Sequence, residues 1–519
     1  FRVIRSFPCV IVKMKREKRA TNFVCITRKR AGLLNTIKSI STDTTNNWAQ
    51  SGGIVGYACN GAVVENCTLS GNVASMGKRV GGIVGELQNS TVKGCRVMSV
   101  AEVFNNAHSC GGVVGGHYGG TVRDCVVEGV IGSQGDYCGG ISGYFASGEI
   151  RDCVVQGSTS VITYNDYCGG IAGAAYTTSA CVIDGCASYA DVRACHTLGG
   201  IVGYVALNTD VNTCSVTDAE IVAPSAQVGG VIGKTQTYSQ IHACLFTGSA
   251  EGKVVGGITS EVSGGEPVYD CRVDADLYGT NTIGGIVGHS GRSKIYNNIV
   301  SGTLNLADTT KVGKVGGIVG HLETNATDTS KMELNDTIVR HCLVDLSEIN
   351  VPEGRDIIAH RVVGFTSIDD YIYDEQKVVD DKLIENGVPQ SEWPRIYAYA
   401  PEKRLKYNYV VSDLVALDAN VEQTSTTTEG ETLAWSAVTE EWLVENGYQL
   451  GNTVDAPWVK EADGLVLWYE DRTTDVENIG GCEGGNGSNK QNAKKIFING
   501  QLMLIRNGEI YNLVGARVK

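Results

Sequence analysis

The sequence predicts an all-β protein whose main part is a parallel β-solenoid of about ten coils. A mixed C-terminal cap and a small β-meander tail complete the predicted architecture. Two observations carry this prediction: a glycine-rich segment and a cysteine step both recur with a period of about 30 residues. Such periods are typical of repeat proteins in which each repeat is one unit of a stack.

The glycine-rich segment marks one corner of each coil. Its first copy occupies residues 52–56 and reads Gly-Gly-Ile-Val-Gly. Glycine allows positive φ angles and close approach of neighbouring chains, so we expect the chain to turn at the glycine pair. Nine further copies follow at intervals of 27 to 32 residues and begin at Gly81, Gly111, Gly139, Gly169, Gly199, Gly229, Gly256, Gly284 and Gly316.

The cysteine step marks a second corner. From Cys271 onward, apolar residues alternate with polar ones such as Arg272, which is the period of a β-strand. The branched residue three positions before each cysteine can face inward only if the backbone bends between the two, as Asn66 or Asp124 would permit. Asn298 takes the place of the cysteine in one coil. The nine cysteines of this column are Cys67, Cys95, Cys125, Cys153, Cys186, Cys214, Cys244, Cys271 and Cys342. Coils stacked about 4.8 Å apart would form a rod with right-handed crossovers.

Composition divides the chain into five parts. Residues 1–45 form a basic segment without repeats, interpreted as a solvated arm, and residues 46–345 form the solenoid. Residues 346–470 are rich in tryptophan, include a predicted short helix at residues 440–446, and are expected to cover the last open edge of the stack. Residues 471–493 are interpreted as a glycine-rich linker, and residues 494–519 as a three-stranded meander with Asn-Gly turns.

The net charge of −14 limits the classes of partner. Residues 1–30 carry ten Lys or Arg and one Glu, so the rest of the chain is more acidic than the total indicates. An acidic surface argues against nucleic-acid binding and leaves cationic ligands or protein partners. The sequence has no run of 18 apolar residues, so we expect no transmembrane helix.

Motifs for catalysis and metal binding are missing from the sequence. It contains neither Cys-x-x-Cys nor His-Glu-x-x-His, so we expect no metal site and no cofactor. The stacked cysteines are interpreted as buried free thiols, with disulfides between neighbouring coils or a bound metal as alternatives. Asp274 and Asp276 are interpreted as part of a solvated strand face, with a catalytic carboxylate pair as the alternative. Asp124 and Asp152 are interpreted as solvated corner residues, with a cation site as the alternative.

Tyrosines beside the glycine pair are the candidate ligand contacts. Tyr57, Tyr144 and Tyr204 recur just after the glycine segment, and Tyr137 and Tyr167 recur just before it. Exposed aromatic side chains are favoured where proteins meet proteins or sugars. The alternative is that these rings only pack beneath loops.

The glycine segment followed by Val-x-x-Cys resembles the GLUG-motif repeats of bacterial surface and adhesin-type proteins, over about residues 46–345. The stretch that contains Trp442, Tyr448 and Trp458 is similar to the segment that often closes such repeats. Residues 495–519 resemble the C-terminal tails of exported Bacteroidetes proteins, some of which are sorting signals. These resemblances imply an extracellular or cell-surface protein associated with the outer membrane.

The repeats and the missing catalytic motifs together indicate a non-enzymatic binding or adhesion protein, or a stalk that presents a binding region. Its expected partner is a host or bacterial surface protein or a glycan. The alternative is a carbohydrate-active enzyme, a lyase or glycoside hydrolase, that acts on an outer face of the β-helix.

Overall fold

The computed structural model describes most of the repeat region and separate parts of the C-terminal third. The basic segment apart from residues 37–39, the linker and the Asn-Gly turns of the tail lie outside the described residues. The described residues are 37–39, 50–176, 179–194, 196–236, 239–263, 267–291, 293–307, 312–323, 339–352, 356–366, 405–411, 416–417, 421–422, 430–461, 464–470, 494–498, 501–506 and 509–512.

The predicted parallel β-solenoid is confirmed. The first glycines of the ten segments stack in unbroken register from Gly52 to Gly316, so nine full turns join them. The same column continues to His360 and then to Glu422. The coils therefore extend past residue 345, where the repeats of the sequence become irregular.

Each coil contributes to two parallel sheets that meet at the two corners. The sheet that follows the glycine corner contains Val55–Ala58, Val63–Glu65, Val84–Lys93, Val114–Arg123, Ser142–Arg151, Ala172–Ala175, Cys181–Asp184, Val202–Val205, Thr209–Asn212, Ile232–Thr235, Gln240–His242, Thr259–Val262, Val268–Tyr269, Val287–Gly291, Ile295–Tyr296, Val319–Glu323, Val339–Arg340, Val363–Thr366 and Leu405–Lys406.

The sheet that follows the cysteine corner runs back to the next glycine pair. Its strands are Ile37–Ser39, Gln50–Gly52, Thr68–Leu69, Val73–Ser75, Arg79–Gly81, Arg96–Val97, Glu102–Asn105, Ser109–Gly111, Val126–Val127, Val130–Ser133, Tyr137–Gly139, Val154–Val155, Ser160–Thr163, Tyr167–Gly169, Ala187–Ser188, Asp191–Arg193, Thr197–Gly199, Ser215–Gly229, Leu245–Gly256, Arg272–Gly284, Ile299–Leu306, Val312–Gly316, Leu343–Asn350, Asp356–His360, Tyr409–Val410, Ala416–Leu417, Val421–Glu422 and Glu431–Thr432.

The glycine corner depends on close approach of backbones. A Cβ atom on Gly53 would lie 2.2 Å from the carbonyl oxygen of Gly82 in the next coil, a distance that no side chain tolerates. A Cβ atom on Gly52 would lie 2.0 Å from the carbonyl oxygen of Val55. Neither glycine has a positive φ angle, so space alone demands glycine here.

At the cysteine corner, the residue directly before each cysteine of the column has a positive φ angle in the left-handed region. Asn66, Asp124 and Asp270 have φ angles of 53°, 56° and 54°. Asn and Asp adopt this conformation more readily than most residues, which explains their recurrence at the position. The bend expected from the sequence is therefore confirmed, and it turns the β-branched residue and the cysteine to the same inward side.

The cysteine column lies in the rod interior. Every described cysteine is a free thiol, and in the column only Cys67, in the first coil, is partly exposed. Asn298 fills its place in the column without breaking it, because its amide oxygen accepts from the Cys271 backbone N–H at 3.0 Å and its amide nitrogen donates to the Val268 carbonyl at 3.0 Å. Asn408 makes the equivalent contacts with Cys342 and Val339.

Residues 433–461 and 464–470, here called the flank segment, pack along the side of the rod. The sequence analysis expects residues 346–470 to cover the last open edge, and the flank segment in addition contacts earlier coils. The strand Glu431–Thr432 pairs at that edge with Tyr409–Val410. The chain then returns over earlier coils, where Tyr448 contacts His341 and Tyr469 contacts Ala243. The flank segment contains the predicted helix, Glu440–Glu445, the 3₁₀ turn Trp435–Ala437 and the antiparallel strands Trp458–Glu461 and Gly464–Leu467.

The tail forms the predicted antiparallel meander. Its strands are Lys494–Ile498, Gln501–Arg506 and Glu509–Asn512. No helix among the described residues is long and apolar enough to cross a membrane.

A candidate ligand-binding face beside the glycine corner

Two rows of outward side chains flank the glycine corner. One row lies two residues before the first glycine of each segment, where Tyr137 pairs in register with Tyr167. The other row lies five residues after it, where Tyr144, Ala174 and Tyr204 follow one another on successive coils. Because the chain turns sharply between the rows, their side chains converge outside the corner.

Four of the five predicted tyrosines come together there. The ring centroids of Tyr137 and Tyr167 are 5.7 Å apart, and those of Tyr167 and Tyr204 are 4.7 Å apart. Tyr144 meets Tyr137 edge-on at 5.2 Å. Tyr57 does not join them, since it lies three coils earlier and its hydroxyl donates to Gln88.

Two further tyrosines complete the group. Tyr118 approaches Tyr144 at 5.6 Å, and Tyr176 approaches Tyr204 at 5.8 Å. Both lie seven residues after the first glycine of their segments, and this shared offset is the sequence signal that could have identified them. We call the six side chains the tyrosine face: Tyr118, Tyr137, Tyr144, Tyr167, Tyr176 and Tyr204.

The tyrosine face presents ring edges and hydroxyl groups more than ring faces. The planes of Tyr137 and Tyr167 are within 13° of parallel, so each covers part of the other. Tyr204 is only 6% exposed, which agrees with the packing role weighed for these rings, whereas Tyr176 is 50% exposed. Burial raises the pKa of Tyr118 and of Tyr204 to about 12, so these hydroxyls stay protonated at neutral pH.

A row of charged and polar side chains borders the tyrosine face. Asp136 and Asp166 directly precede Tyr137 and Tyr167 in the repeated sequence Asp-Tyr-Cys-Gly-Gly. Their carboxylates lie on adjacent coils, with His108 3.5 Å from Asp136 and His196 3.9 Å from Asp166. Asn165 donates a hydrogen bond to Asp136. After burial, the Asp136 charge is the next largest cause of the raised pKa of Tyr137.

Arg79 lies at the N-terminal end of the tyrosine face. It forms an ion pair with Glu86, its guanidinium carbon is 4.5 Å from the centre of the Tyr118 ring, and it donates to the Tyr118 hydroxyl at 2.6 Å. At its N-terminal end, the tyrosine face therefore already contacts a cationic side chain of the same chain. Among the described residues, no lysine or arginine lies over Tyr137, Tyr144, Tyr167 or Tyr204.

The carboxylate pair that the sequence analysis weighs as a catalytic site lies on a second surface of the rod. Asp274 and Asp276 are exposed as expected, and Asp276 accepts from the Thr303 hydroxyl at 2.6 Å. The negative charge of Asp274 also contributes to the raised pKa of two further acidic groups, Asp345 and Glu470. Burial raises the pKa of both Asp345 and Glu470, but Glu470 is held by an ion pair with Arg272, which also lies 3.5 Å from Asp274.

The corner carboxylates Asp124 and Asp152 occupy the left-handed position in adjacent coils. Asp124 pairs with the guanidinium of Arg123 at 2.7 Å. Within the described ranges, no group of three or more His, Cys, Asp or Glu side chains is arranged to hold a metal ion.

Comparison of the chain with protein-family models, with curated proteins and with solved structures gives no match. The function of the chain is therefore inferred from its own features: the tyrosine face, the acidic residues beside it and the rod that carries them.

Proposed function

We propose that this protein is a non-enzymatic binding or adhesion protein of the cell surface or the secreted space, and that the tyrosine face is its ligand contact. The observation that carries the proposal is the convergence of six tyrosines from neighbouring coils on one side of a rigid rod. Tyrosine is enriched at protein interfaces because it buries apolar area and still offers a hydroxyl group for hydrogen bonding. A rod that fixes such side chains in register loses little entropy when it binds.

A protein partner suits the geometry better than a glycan. Sugar recognition by stacking needs open ring faces, and Tyr137, Tyr167 and Tyr204 cover part of one another's faces. Ring edges, hydroxyls and the adjacent carboxylates Asp136 and Asp166 instead offer hydrogen-bond donors and acceptors to a partner surface. Glycans remain one arm of the test.

The resemblance to GLUG-motif repeats and to Bacteroidetes sorting tails belongs to the same proposal. A surface protein of this kind would be delivered by its tail and would extend its solenoid outward as a stalk. Removal of residues 472–519 in a host that displays the full chain should abolish surface labelling while the rod still folds. Equal display of both forms would remove the sorting role and leave the binding proposal intact.

The binding proposal is tested by a double substitution with a matched control. Tyr137→Ser with Tyr167→Ser opens the centre of the tyrosine face. Tyr269→Ser with Tyr296→Ser removes another stacked pair, with a centroid distance of 4.9 Å. These two tyrosines lie two residues before Cys271 and Asn298 in the cysteine column. Binding to immobilised surface proteins, to cells and to a glycan array should fall at least tenfold for the first variant and stay within twofold for the second. Equal binding by wild type and both variants contradicts the proposal.

A carbohydrate-active enzyme is the second candidate, favoured by one observation. Asp345 has a raised pKa beside Asp274, as a general acid next to a carboxylate would have. Incubation with a panel of polysaccharides should release no reducing ends or unsaturated products if the protein only binds. Release that disappears in Asp274→Asn would establish the enzyme instead.

A further inference from the structure

The tyrosine face carries two neighbouring carboxylates beside its central rings. Asp136 and Asp166 occupy one row on adjacent coils, which places them about 5 Å apart along the rod. Each is within 4 Å of a histidine, His108 or His196. Asp136 also accepts a hydrogen bond from Asn165. Three glutamates elsewhere on the rod, Glu86, Glu128 and Glu261, are instead each paired with an arginine or a lysine.

The protein itself shows how a cation binds to such surroundings. Arg79 combines an ion pair to Glu86, a hydrogen bond to the Tyr118 hydroxyl and a position over the Tyr118 ring. The same types of group, a carboxylate, a phenolic oxygen and an aromatic ring, occur two and three coils further on, in Asp136 with Tyr137 and in Asp166 with Tyr167. Their arrangement differs, because Tyr137 and Tyr167 occupy the row in which Arg79 itself lies. Cations also lie over rings at Lys314 with Phe365 and Arg340 with Tyr296.

We propose that the tyrosine face binds a basic segment of a partner protein, with an arginine or lysine held between Asp136 and Asp166. This inference rests on the proposed binding function and adds the chemical class of the partner. Guanidinium groups donate several hydrogen bonds in a plane, so one arginine is able to engage both carboxylates and a tyrosine hydroxyl. The chain's net charge of −14 attracts such a segment over longer distances and speeds its association.

Charge complementarity predicts binding of a simple probe. A fluorescein-labelled octa-arginine peptide should bind the full chain in fluorescence anisotropy, and an octa-glutamate peptide should not. Affinity should fall as sodium chloride rises, because exposed charges are screened at physiological ionic strength. No binding of the arginine peptide to the wild-type chain at low salt would overturn the proposal.

Substitutions separate this site from general attraction to an acidic rod. Asp136→Asn with Asp166→Asn should weaken binding of the arginine peptide at least tenfold. Asp274→Asn with Asp276→Asn removes the same charge from an exposed strand elsewhere and should change affinity less than twofold. Equal losses in the two double variants would show that binding follows net charge alone and would refute the site.

The remaining outcomes keep the inference and the proposed function distinct. If the Asp136 and Asp166 double variant melts earlier than the wild type, Asp166→Asn alone decides, with an expected loss of about threefold, because that carboxylate is 42% exposed. A different outcome is that Tyr137→Ser with Tyr167→Ser abolishes binding to a cell-surface protein or glycan, while Asp136→Asn with Asp166→Asn still binds it. The inference of a basic partner then fails, and the proposed binding function stands.

Discussion

Replacement of Asp270 by asparagine should strengthen the attachment of the flank segment at neutral pH. The Asp270 carboxylate is 7% exposed and accepts from the Trp458 indole nitrogen at 2.9 Å, across 188 residues of sequence. Burial raises its pKa from 3.8 to about 6, although hydrogen bonds from Trp458 and Asn297 oppose the shift. At pH 7.5 the Asp270 side chain is therefore a charged carboxylate in a buried position that disfavours charge.

The size of the effect follows from the shift in pKa. A shift of about two units corresponds to about 3 kcal/mol, at about 1.4 kcal/mol per unit. The pKa of Asp270 is higher in the folded protein than in the unfolded chain, so protonation of Asp270 stabilises the fold. This stabilisation is fully present below about pH 4 and is lost as the pH rises through about 6. Asparagine also suits the left-handed backbone, since Asn66 and Asn297 occupy the same corner position with φ angles of 53° and 55°.

Urea unfolding followed by tryptophan fluorescence measures this effect, because four of the six tryptophans lie in the flank segment. Asp270→Asn should raise the free energy of unfolding of that segment by up to about 3 kcal/mol at pH 7.5 and by much less at pH 4.5. Asp124→Asn is the matched control, since it changes the same corner position at a half-buried site, and should shift stability by less than about 0.5 kcal/mol. If Asp270→Asn is no more stable than the wild type at pH 7.5, or if its advantage does not shrink on acidification, the burial argument is wrong.

Three further predictions concern the rod and its flank segment. Gly140→Ala places a Cβ atom 2.1 Å from the Gly170 carbonyl oxygen and should abolish or strongly destabilise the fold by circular dichroism, whereas Gly157→Ala, with its nearest atom at 3.4 Å, should melt within a few degrees of the wild type. Native labelling with a bulky maleimide should miss Cys125, Cys153, Cys214 and Cys244 and should modify the half-buried Cys59, since reaction needs an exposed thiolate; equal rates in buffer and in denaturant would contradict the burial of the column. Trp458→Ala should cost about 3–5 kcal/mol of flank attachment and expose the flank segment to limited proteolysis while the β-sheet signal of the rod persists, and unchanged protease resistance would show that the segment is held by other contacts.

The architecture of the rod was predictable because each coil repeats the same strands and corners at the same sequence positions. The alternation after Cys271 gives the strand, and the inward side chains at Val268 and Cys271 require a bend at Asp270. Stacking in register then follows, because each coil buries its apolar face only against a copy of itself. The role of the glycine pair was predicted in part: close approach of backbones decides it, and a positive φ angle does not.

The candidate site was predictable only where its residues keep a fixed place in the repeat. Tyr137, Tyr144, Tyr167 and Tyr204 share two such places, and register brings them together. How far each ring is buried depends on which side chain the neighbouring coil supplies, so the packing of Tyr204 and the separation of Tyr57 followed only from the three-dimensional structure.

The sequence by itself determined the repeat, the two corners and the inward column of cysteines, because all three arise from contacts between equivalent positions about 30 residues apart. Only the tertiary structure decided where the non-repeating part goes. Tyr469 donates to the Ala243 carbonyl at 2.6 Å and Tyr448 donates to the His341 carbonyl at 2.6 Å, so the flank segment lies across several coils. Such contacts join residues more than 100 positions apart in sequence that share no pattern, and their energy depends on shape and burial that no local period encodes.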